Sequence, residues 1–391
     1  MHLLLEKKNS QQLKKQVFPK IDFSSAAERS NSKIDISNIN VDRDSSTYTA
    51  GVRLTVPIYN SSALIAYKQS PIQQKISEYE FHSAKQNFIL KTIKTYIDNL
   101  TAKEELNILL HDVDLSFKQL KEVEFKYKEG VSTSADLLSA KLRYSLAKIA
   151  ANKASSNISV TNNDIKTICQ KEISTDESIY ITINSDLVKF SVEDALIDVE
   201  KNNPDLLKLN EEVNYSLLDV KKAESEYYPT INGIASYQWK NYPNGSNDIY
   251  DSSKGVRQAT IGVQLSIPLY SGDSTSLKIQ EGMALSDKIT RNYHKKRDEI
   301  ESMLRSNFEK LHSAQLDLLE AEKAEKLGYD ALTANKLGYS NGVRLLTDVL
   351  MSQEQLFKAQ HQKILAKQVI AMSVAYILFA KGSLNSIFSS S

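Results

Sequence analysis

Two short segments of this 391-residue sequence carry the side chains that could do chemistry, and each surrounds a glycine. Asp136 follows Gly130, while Tyr339 precedes Gly342, and Arg344 and Asp348 follow it. A phenol, a guanidinium and two carboxylates can link neighbouring chain segments through hydrogen bonds and ion pairs, and the carboxylates can attract cations. Either aspartate can instead simply favour the N-terminus of a helix that begins there. The residues alone leave both interpretations open.

The remaining residue types give no sign of catalysis. Cys169 is the single cysteine, and the six histidines are scattered without the spacing of metal ligands. The sequence contains no phosphate-binding loop and no nucleophile elbow. The net charge is +1, with acidic and basic residues interspersed, which does not favour a nucleic-acid partner. We therefore expect neither an enzyme nor a metal or cofactor site.

The two glycine segments are corresponding parts of an internal duplication. Four pairs of like residues lie at nearly constant separations of 210, 211, 212 and 212 positions: Pro19 and Pro229, Pro57 and Pro268, Gly130 and Gly342, and Asp136 and Asp348. A separation that drifts so little over more than a hundred residues indicates two copies of one unit.

Each copy contains a nine-residue stretch in which apolar and polar residues alternate, Gly51–Tyr59 and Gly262–Tyr270. This pattern is typical of a strand with one apolar face. An earlier strand begins near Pro19 or Pro229, so the sequence predicts strand pairs over about 18–59 and 229–270. A proline has no N–H, and we expect it to end the strand ladder. The predicted strand exits are Pro57, Tyr59, Pro268 and Tyr270.

A long helical hairpin is predicted after each strand pair, over about 61–168 and about 273–380, with turns at Gly130 and Gly342. The sequence has only 12 glycines and 7 prolines, and only Pro71 interrupts the first helix. Apolar residues spaced 4, 3, 4, 3 indicate a coiled-coil seam, formed by Leu106, Leu110, Val113, Phe117 and Leu120. A helix of this length would measure about 100 Å and belongs to a rod or tube.

The duplication divides the chain into a first repeat (1–168), a mixed connecting segment (169–191), a second repeat (192–384) and a tail (385–391). The second copy has nearly forty helical residues ahead of its first strand, and the first copy has eighteen. We therefore expect part of a first helix, and a signal peptide, to lie upstream of Met1. The most apolar run, Val369–Ala380, is short of the roughly 20 residues of a membrane-spanning helix, whereas tilted strands of 9–11 residues suffice.

The chain resembles the TolC-type outer membrane efflux proteins. The resemblance covers Lys7 to Leu384, and its most specific segments are G-Y-S-N-G-V-R-L-L-T-D-V-L at 338–350 and Y-K-E-G-V-S-T-S-A-D-L at 127–137. It implies a mainly α fold with membrane β structure. Three protomers would each contribute four strands to a shared 12-stranded outer-membrane barrel. Their long antiparallel hairpins would form a trimeric α-barrel across the periplasm.

The resemblance also assigns roles to the residues around the two glycines. Asp136, Tyr339 and Arg344 fall on the family's gating positions, and Asp348 falls on the acidic ring that narrows the entrance. Three copies of Asp348 around an axis would attract cations and raise one another's pKa. Two positions depart from the family's prototype: Met351 replaces a second acidic residue, and Ala135 replaces a hydroxyl residue ahead of the gating aspartate.

The function implied is that of a passive exit duct for a tripartite efflux pump or a type I secretion system. Its partners would be two further copies, a periplasmic adaptor protein, an inner-membrane pump and outer-membrane lipid, with no nucleic acid. The heptads alone also permit a soluble coiled-coil scaffold, and a truncated, non-functional duct remnant is a further alternative. The paired strands favour the duct, because a scaffold has no use for them.

Overall fold

The structure is a computed structural model, which describes residues 11–12, 14–36, 39–170, 191–241 and 255–384. The predicted tail and most of the predicted connecting segment lie outside the described residues. Two short 3₁₀ turns, Lys15–Val17 and Ser225–Tyr227, precede the strand pairs. The larger elements are β1 (Lys20–Ile36), β2 (Ile39–Tyr59), α1 (Ser61–Lys128), α2 (Ser134–Cys169), α3 (Val192–Asn202), α4 (Pro204–Glu224), β3 (Thr230–Asn241), β4 (Val256–Ser266), α5 (Ser274–Ser340) and α6 (Leu346–Ala380).

The chain forms two compact units, which do not coincide with the two sequence repeats. One unit comprises Met1–Phe81 with Lys208–Lys295, and the other comprises His82–Leu207 with Lys296–Ser391. Each unit therefore contains a part of both copies, and helices α1 and α5 run through both.

The four strands of the first unit form one antiparallel sheet in the order β1-β2-β3-β4. Residues that pair across the strands share a face, and the register gives one apolar and one polar face. The apolar face carries Ile21, Phe23, Val52, Leu54, Ala235, Tyr237, Ile261 and Val263. In the single chain this face is open, with Phe23 72% and Ile261 88% exposed. Among the described strands, the outer edges of β1 and β4 have no partner.

The two strand exits differ from each other. β2 continues through Pro57 to Tyr59, so the prediction that proline ends the ladder is wrong in the first copy. The pairing between β1 and β2 stops at Thr55, which leaves Pro57 on a locally unpaired edge where its missing N–H breaks no bond to β1. The register of β2 against β3 then shifts between Pro57 and Tyr59. In the second copy β4 already ends at Ser266, and Tyr270 is 85% exposed.

Helices α1, α4 and α5 pack together in the first unit through polar as well as apolar contacts. Gln69 Nε2 of α1 donates to Asp219 Oδ1 of α4 at 2.6 Å, and Ser216 of α4 bonds Ser286 of α5 at 3.0 Å. The prediction that Pro71 interrupts the first helix is wrong, because α1 continues without a break on both sides of it. A proline removes one hydrogen bond of the helix ladder and crowds the preceding turn, and α1 is held against α4 close to this point by Gln69.

In the second unit the helices form two hairpins, α1 with α2 and α5 with α6. Small residues bring the paired helices close together: Ala151 and Ala154 of α2 pack on Leu109 of α1. The predicted seam is only partly correct, because Leu110 is 51% and Phe117 41% exposed. The buried stripe of α1 lies one residue away, at Leu109, Asp112, Ser116, Gln119 and Val123.

The end of α6 is fastened to the junction of α3 and α4. Asn203 caps α4 by accepting the N–H groups of Asp205 and Leu206, and its Nδ2 donates to Ala380 O at 2.8 Å. Among the described residues, α6 is the one helix long and apolar enough to cross a membrane, with a mean hydropathy of 1.6 in its most apolar window. Since 44% of that window is buried inside the chain, and core helices pass the same test, this is weak evidence for a membrane span.

Candidate gate at the hairpin turns

Both hairpin turns close in the same way. Gly130 and Gly342 have φ angles of 75° and 74°, in the left-handed region that glycine adopts without a steric penalty. The N–H of Val131 donates to Lys126 O, and the N–H of Val343 donates to Gly338 O, each at 2.8 Å. This is the hydrogen-bond pattern with which helices commonly end at a glycine. The duplicated sequence therefore builds two equivalent tips.

Asp136 lies in the first turn of α2, where its carboxylate is held by local donors. Oδ2 accepts the Thr133 hydroxyl at 2.7 Å, the Thr133 N–H at 3.2 Å and the Ser132 hydroxyl at 3.3 Å. The Thr133 hydroxyl in turn accepts the N–H of Asp136, which completes a capping box. The hydrogen bond from the Thr133 hydroxyl is the main reason that the pKa of Asp136 is lowered. Asp136 thus caps its own helix.

Asp348 occupies the equivalent position at the start of α6 but has fewer partners. Its Oδ2 accepts the N–H of Leu345 at 3.2 Å, and Leu345 has no hydroxyl where Thr133 stands in the first copy. Arg344 Nη1 lies 4.0 Å from the same oxygen, and its side chain is 59% exposed. Within one chain Arg344 therefore faces Asp348 of its own turn, and the carboxylate keeps free acceptor positions.

Tyr339 of the second hairpin packs on the first hairpin. Its ring contacts the buried cluster that includes Leu120, Val123 and Ala140, and Lys126 Nζ lies 3.8 Å from the ring centre. Burial raises the pKa of Tyr339, and the positive charge of Lys126 opposes this increase. The structure therefore places Tyr339 beside Lys126 of the first hairpin, and a gating contact between Tyr339 and Asp136 stays a prediction. The Tyr339 hydroxyl is buried, and Ser132 of the first hairpin is a polar neighbour that acts to lower its pKa.

Two further contacts join the hairpins, and the sequence did not reveal either of them. The first is Lys126, which also pairs with Glu122 at 3.0 Å and donates to Tyr339 O at 3.4 Å. The second is a buried group of side chains centred on Asp112, which accepts from Arg143 Nη2 and from Gln353 Nε2, the latter at 2.8 Å. In the sequence, the sign of this group is that Asp112 and Ser116, two polar residues four positions apart, share one face of a long predicted helix.

A fold with a four-stranded antiparallel sheet and two long helical hairpins also occurs in solved structures of outer-membrane channels. The crystal structure of the Campylobacter jejuni CmeC outer membrane channel superposes with a TM-score of 0.82, over 98% of this chain and 81% of that one, at 17% identity. The outer-membrane channel OprN superposes with a TM-score of 0.83, over 97% of this chain and 85% of that one, at 14% identity.

The chain belongs to the outer membrane efflux protein family, whose model matches residues 6–169 and 196–383. Outer membrane protein TolC of Salmonella enteritidis is 23% identical over 390 residues, covering 94% of this chain and 75% of that protein. The resemblance and the mainly helical fold with four antiparallel strands are thus confirmed. The protein is an outer membrane channel, an exit duct for efflux or type I secretion rather than an enzyme or a soluble scaffold.

Proposed function

We propose that three copies of this chain form one passive duct that is gated at the helical tips. Each copy contributes four strands to a 12-stranded barrel and two hairpins to a trimeric α-barrel. The open edges of β1 and β4 support this assembly, because unpaired strand edges bind further strands. The exposed apolar face of the sheet fits outer-membrane lipid, whose hydrocarbon needs no hydrogen bonds.

The gate consists of the contacts that hold the second hairpin against the first. The observation that carries this proposal is the position of Tyr339, which packs on α1 and α2 beside Lys126. Arg344 is exposed in the single chain and can reach the tip of a neighbouring copy in this assembly. Each contact is weak by itself, since exposed ion pairs contribute about 1 kcal/mol or less. A partner that binds the tips can therefore open the gate.

Asp348 forms the acidic ring at the narrow end of this duct. Its carboxylate retains free acceptor positions in the single chain, and three copies near an axis create a negative field. Met351 lies one turn further along α6 with its side chain 56% exposed, so the second acidic position of the family's prototype is apolar here. We therefore expect one ring of three charges to attract cations.

The partners are an adaptor protein in the periplasm and an energy-supplying pump in the inner membrane. Proteases secretion protein PrtF of Dickeya chrysanthemi is 20% identical over 386 residues, covering 94% of this chain and 81% of that protein. Its name describes protein export, and the family description names efflux. Both kinds of cargo are therefore compatible with this duct.

The two repeats, 1–168 and 192–384, correspond to the two hairpins that each copy contributes. The equivalent geometry of the Gly130 and Gly342 turns supports this division. In a closed trimer the duplication would place six similar hairpins around one axis.

The mass and location of the assembly test the proposal. The protein should be extracted from separated membranes in detergent and its protein mass determined by light scattering. We expect an outer-membrane species of three times 44.0 kDa. A monomer, or a species absent from the outer-membrane fraction, would contradict the proposal and would favour the non-functional remnant.

A further inference from the structure

A buried polar group joins the two hairpins away from the turns. Asp112 and Ser116 of α1, Arg143 of α2 and Gln353 of α6 form it, and we refer to these four residues as the Asp112 latch. Arg143 Nη2 donates to both carboxylate oxygens of Asp112, at 2.8 and 2.9 Å. Gln353 Nε2 donates to Asp112 Oδ1 and to Ser116 Oγ, each at 2.8 Å. Asp112 is 7% exposed, Ser116 1% and Gln353 2%.

The charged and the neutral partners of Asp112 come from different hairpins. Arg143 belongs to the same hairpin as Asp112, so this ion pair does not depend on the position of the second hairpin. Among the described residues, the hydrogen-bond partner that Asp112 has in the second hairpin is Gln353, which is uncharged. When the hairpins separate, the carboxylate keeps its guanidinium partner and loses only the hydrogen bond from an uncharged amide. A buried charge stripped of its partner would oppose such a movement strongly.

The second hairpin shows that packing of such helices does not require this group. By the duplication, Asp112 corresponds to Ala324, Ser116 to Gly328 and Arg143 to Gln355. At these positions α5 and α6 pack directly, and a Cβ added to Gly328 would lie 3.2 Å from Leu356 Cα. The polar residues are therefore specific to the contact between the hairpins of one chain.

We propose that Gln353 is a gating residue and that the Asp112 latch holds the second hairpin closed against the first, separately from Tyr339. This inference rests on the gated duct proposed above. Release of Gln353 breaks two hydrogen bonds of an uncharged amide, one to the Asp112 carboxylate and one to the Ser116 hydroxyl, and leaves the Asp112–Arg143 pair intact. The latch can thus open and close without exposing an unpaired charge in the helix bundle.

Three substitutions of Gln353 test this role in planar bilayers containing the purified, assembled protein. Gln353→Leu removes both hydrogen bonds and retains the volume, and Gln353→Glu places a second carboxylate beside Asp112. Gln353→Asn keeps the amide, but its shorter side chain does not reach Asp112 and Ser116. Since one neutral hydrogen bond corresponds to about a fivefold change in an equilibrium, we expect the open probability to increase at least fivefold. Gln353→Glu should show the largest increase.

Gln355→Leu is the matched control, because Gln355 lies on the same helix and is exposed. We expect it to behave as the unsubstituted protein does. The latch is contradicted if assembled Gln353→Leu and Gln353→Asn trimers have the open probability of Gln355→Leu. It is also contradicted if the Gln353 substitutions only lower the melting temperature of the trimer. An unsubstituted protein that never conducts would overturn the proposed duct itself, which distinguishes the two failures.

Discussion

The ammonium group of Lys126 lies 3.8 Å from the centre of the Tyr339 ring, so a cation of the first hairpin covers an aromatic ring of the second. Contacts of this kind contribute about 0.5–2 kcal/mol, depending on how far the cation is desolvated. Lys126 also bonds Glu122 and the backbone oxygen of Tyr339. The contact between the two hairpins therefore includes the ring of Tyr339 and its backbone oxygen.

Replacement of Lys126 by methionine should loosen the contact between the hairpins. The substitution retains most of the side-chain volume and removes the charge, so we expect a higher open probability in bilayer recordings. Lys121→Met is the control, because Lys121 lies 5.4 Å from the Phe117 ring within the same helix and joins no second hairpin. Equal open probabilities for the two variants would remove Lys126 from the gate.

The capping box of Asp136 predicts a stability difference that depends on pH. The folded-state pKa of Asp136 is lowered from its ordinary value of 3.8, so its stabilising effect is complete above that value and is lost as the pH falls through the folded pKa. Thr133→Ala removes the main cause of the lowered pKa and should reduce stability at neutral pH by about 1 kcal/mol.

Denaturant unfolding monitored by circular dichroism at pH 7 and at pH 3 or below measures this effect. The difference between Thr133→Ala and the unsubstituted protein should shrink at the lower pH, and Thr133→Ser should behave as the unsubstituted protein. A difference that is the same at both pH values would show that the Asp136 carboxylate does not contribute through Thr133.

The acidic ring predicts the ion selectivity of the duct. Asp348→Asn should reduce the preference for cations, because it removes one charge per chain at the narrow end. Reversal potentials in a salt gradient measure the preference. Glu354→Gln serves as the control, since Glu354 is exposed on the same helix and paired with Lys358 at 2.7 Å. If both variants keep the original selectivity, Asp348 does not line the conducting path.

Gly382 should tolerate substitution less well than the turn glycines. Its φ is 69°, and an added Cβ would collide with the backbone oxygen of Asn202. Gly130 has a similar φ of 75° but open space around it, so Gly130→Ala should cost only about 1–2 kcal/mol for the left-handed backbone. We expect Gly382→Ala to lower the melting temperature of the assembly further than Gly130→Ala does. A smaller decrease for Gly382→Ala than for Gly130→Ala would show that the junction of α3 and α4 can move away from residue 382.

The sequence predicted those features that depend on local residues or that occur in both repeats. Gly130 and Gly342 lie at the turns because glycine readily adopts the left-handed backbone with which many helices end, and the duplication identified them as equivalent. The buried stripe of α1 could not be predicted in the same way. Asp112 and Ser116 are buried because Arg143 and Gln353 satisfy them, and Gln353 lies more than 200 positions away in the sequence. Apolar periodicity alone selected Phe117, which is 41% exposed in the single chain.

The two prolines also show that contacts with distant parts of the chain could not be predicted from the local sequence. Pro57 remains within β2, still paired with β3, because β1 no longer pairs with this part of the strand, and the proline itself gives no sign of that. Pro71 remains within a helix that packs against α4. In both places the partner element, rather than the local residue, decides the outcome.

The single-channel conductance of Tyr339→Ala, compared with that of Tyr127→Ala, tests the gated duct most directly. The two tyrosines are equivalent by the duplication, but Tyr339 packs on the other hairpin, whereas Tyr127 is 43% exposed. Gating predicts that the unsubstituted protein and Tyr127→Ala are mostly closed and that Tyr339→Ala opens with a severalfold larger mean conductance. Three equal conductances, whether large or small, would contradict a gate formed between the two hairpins.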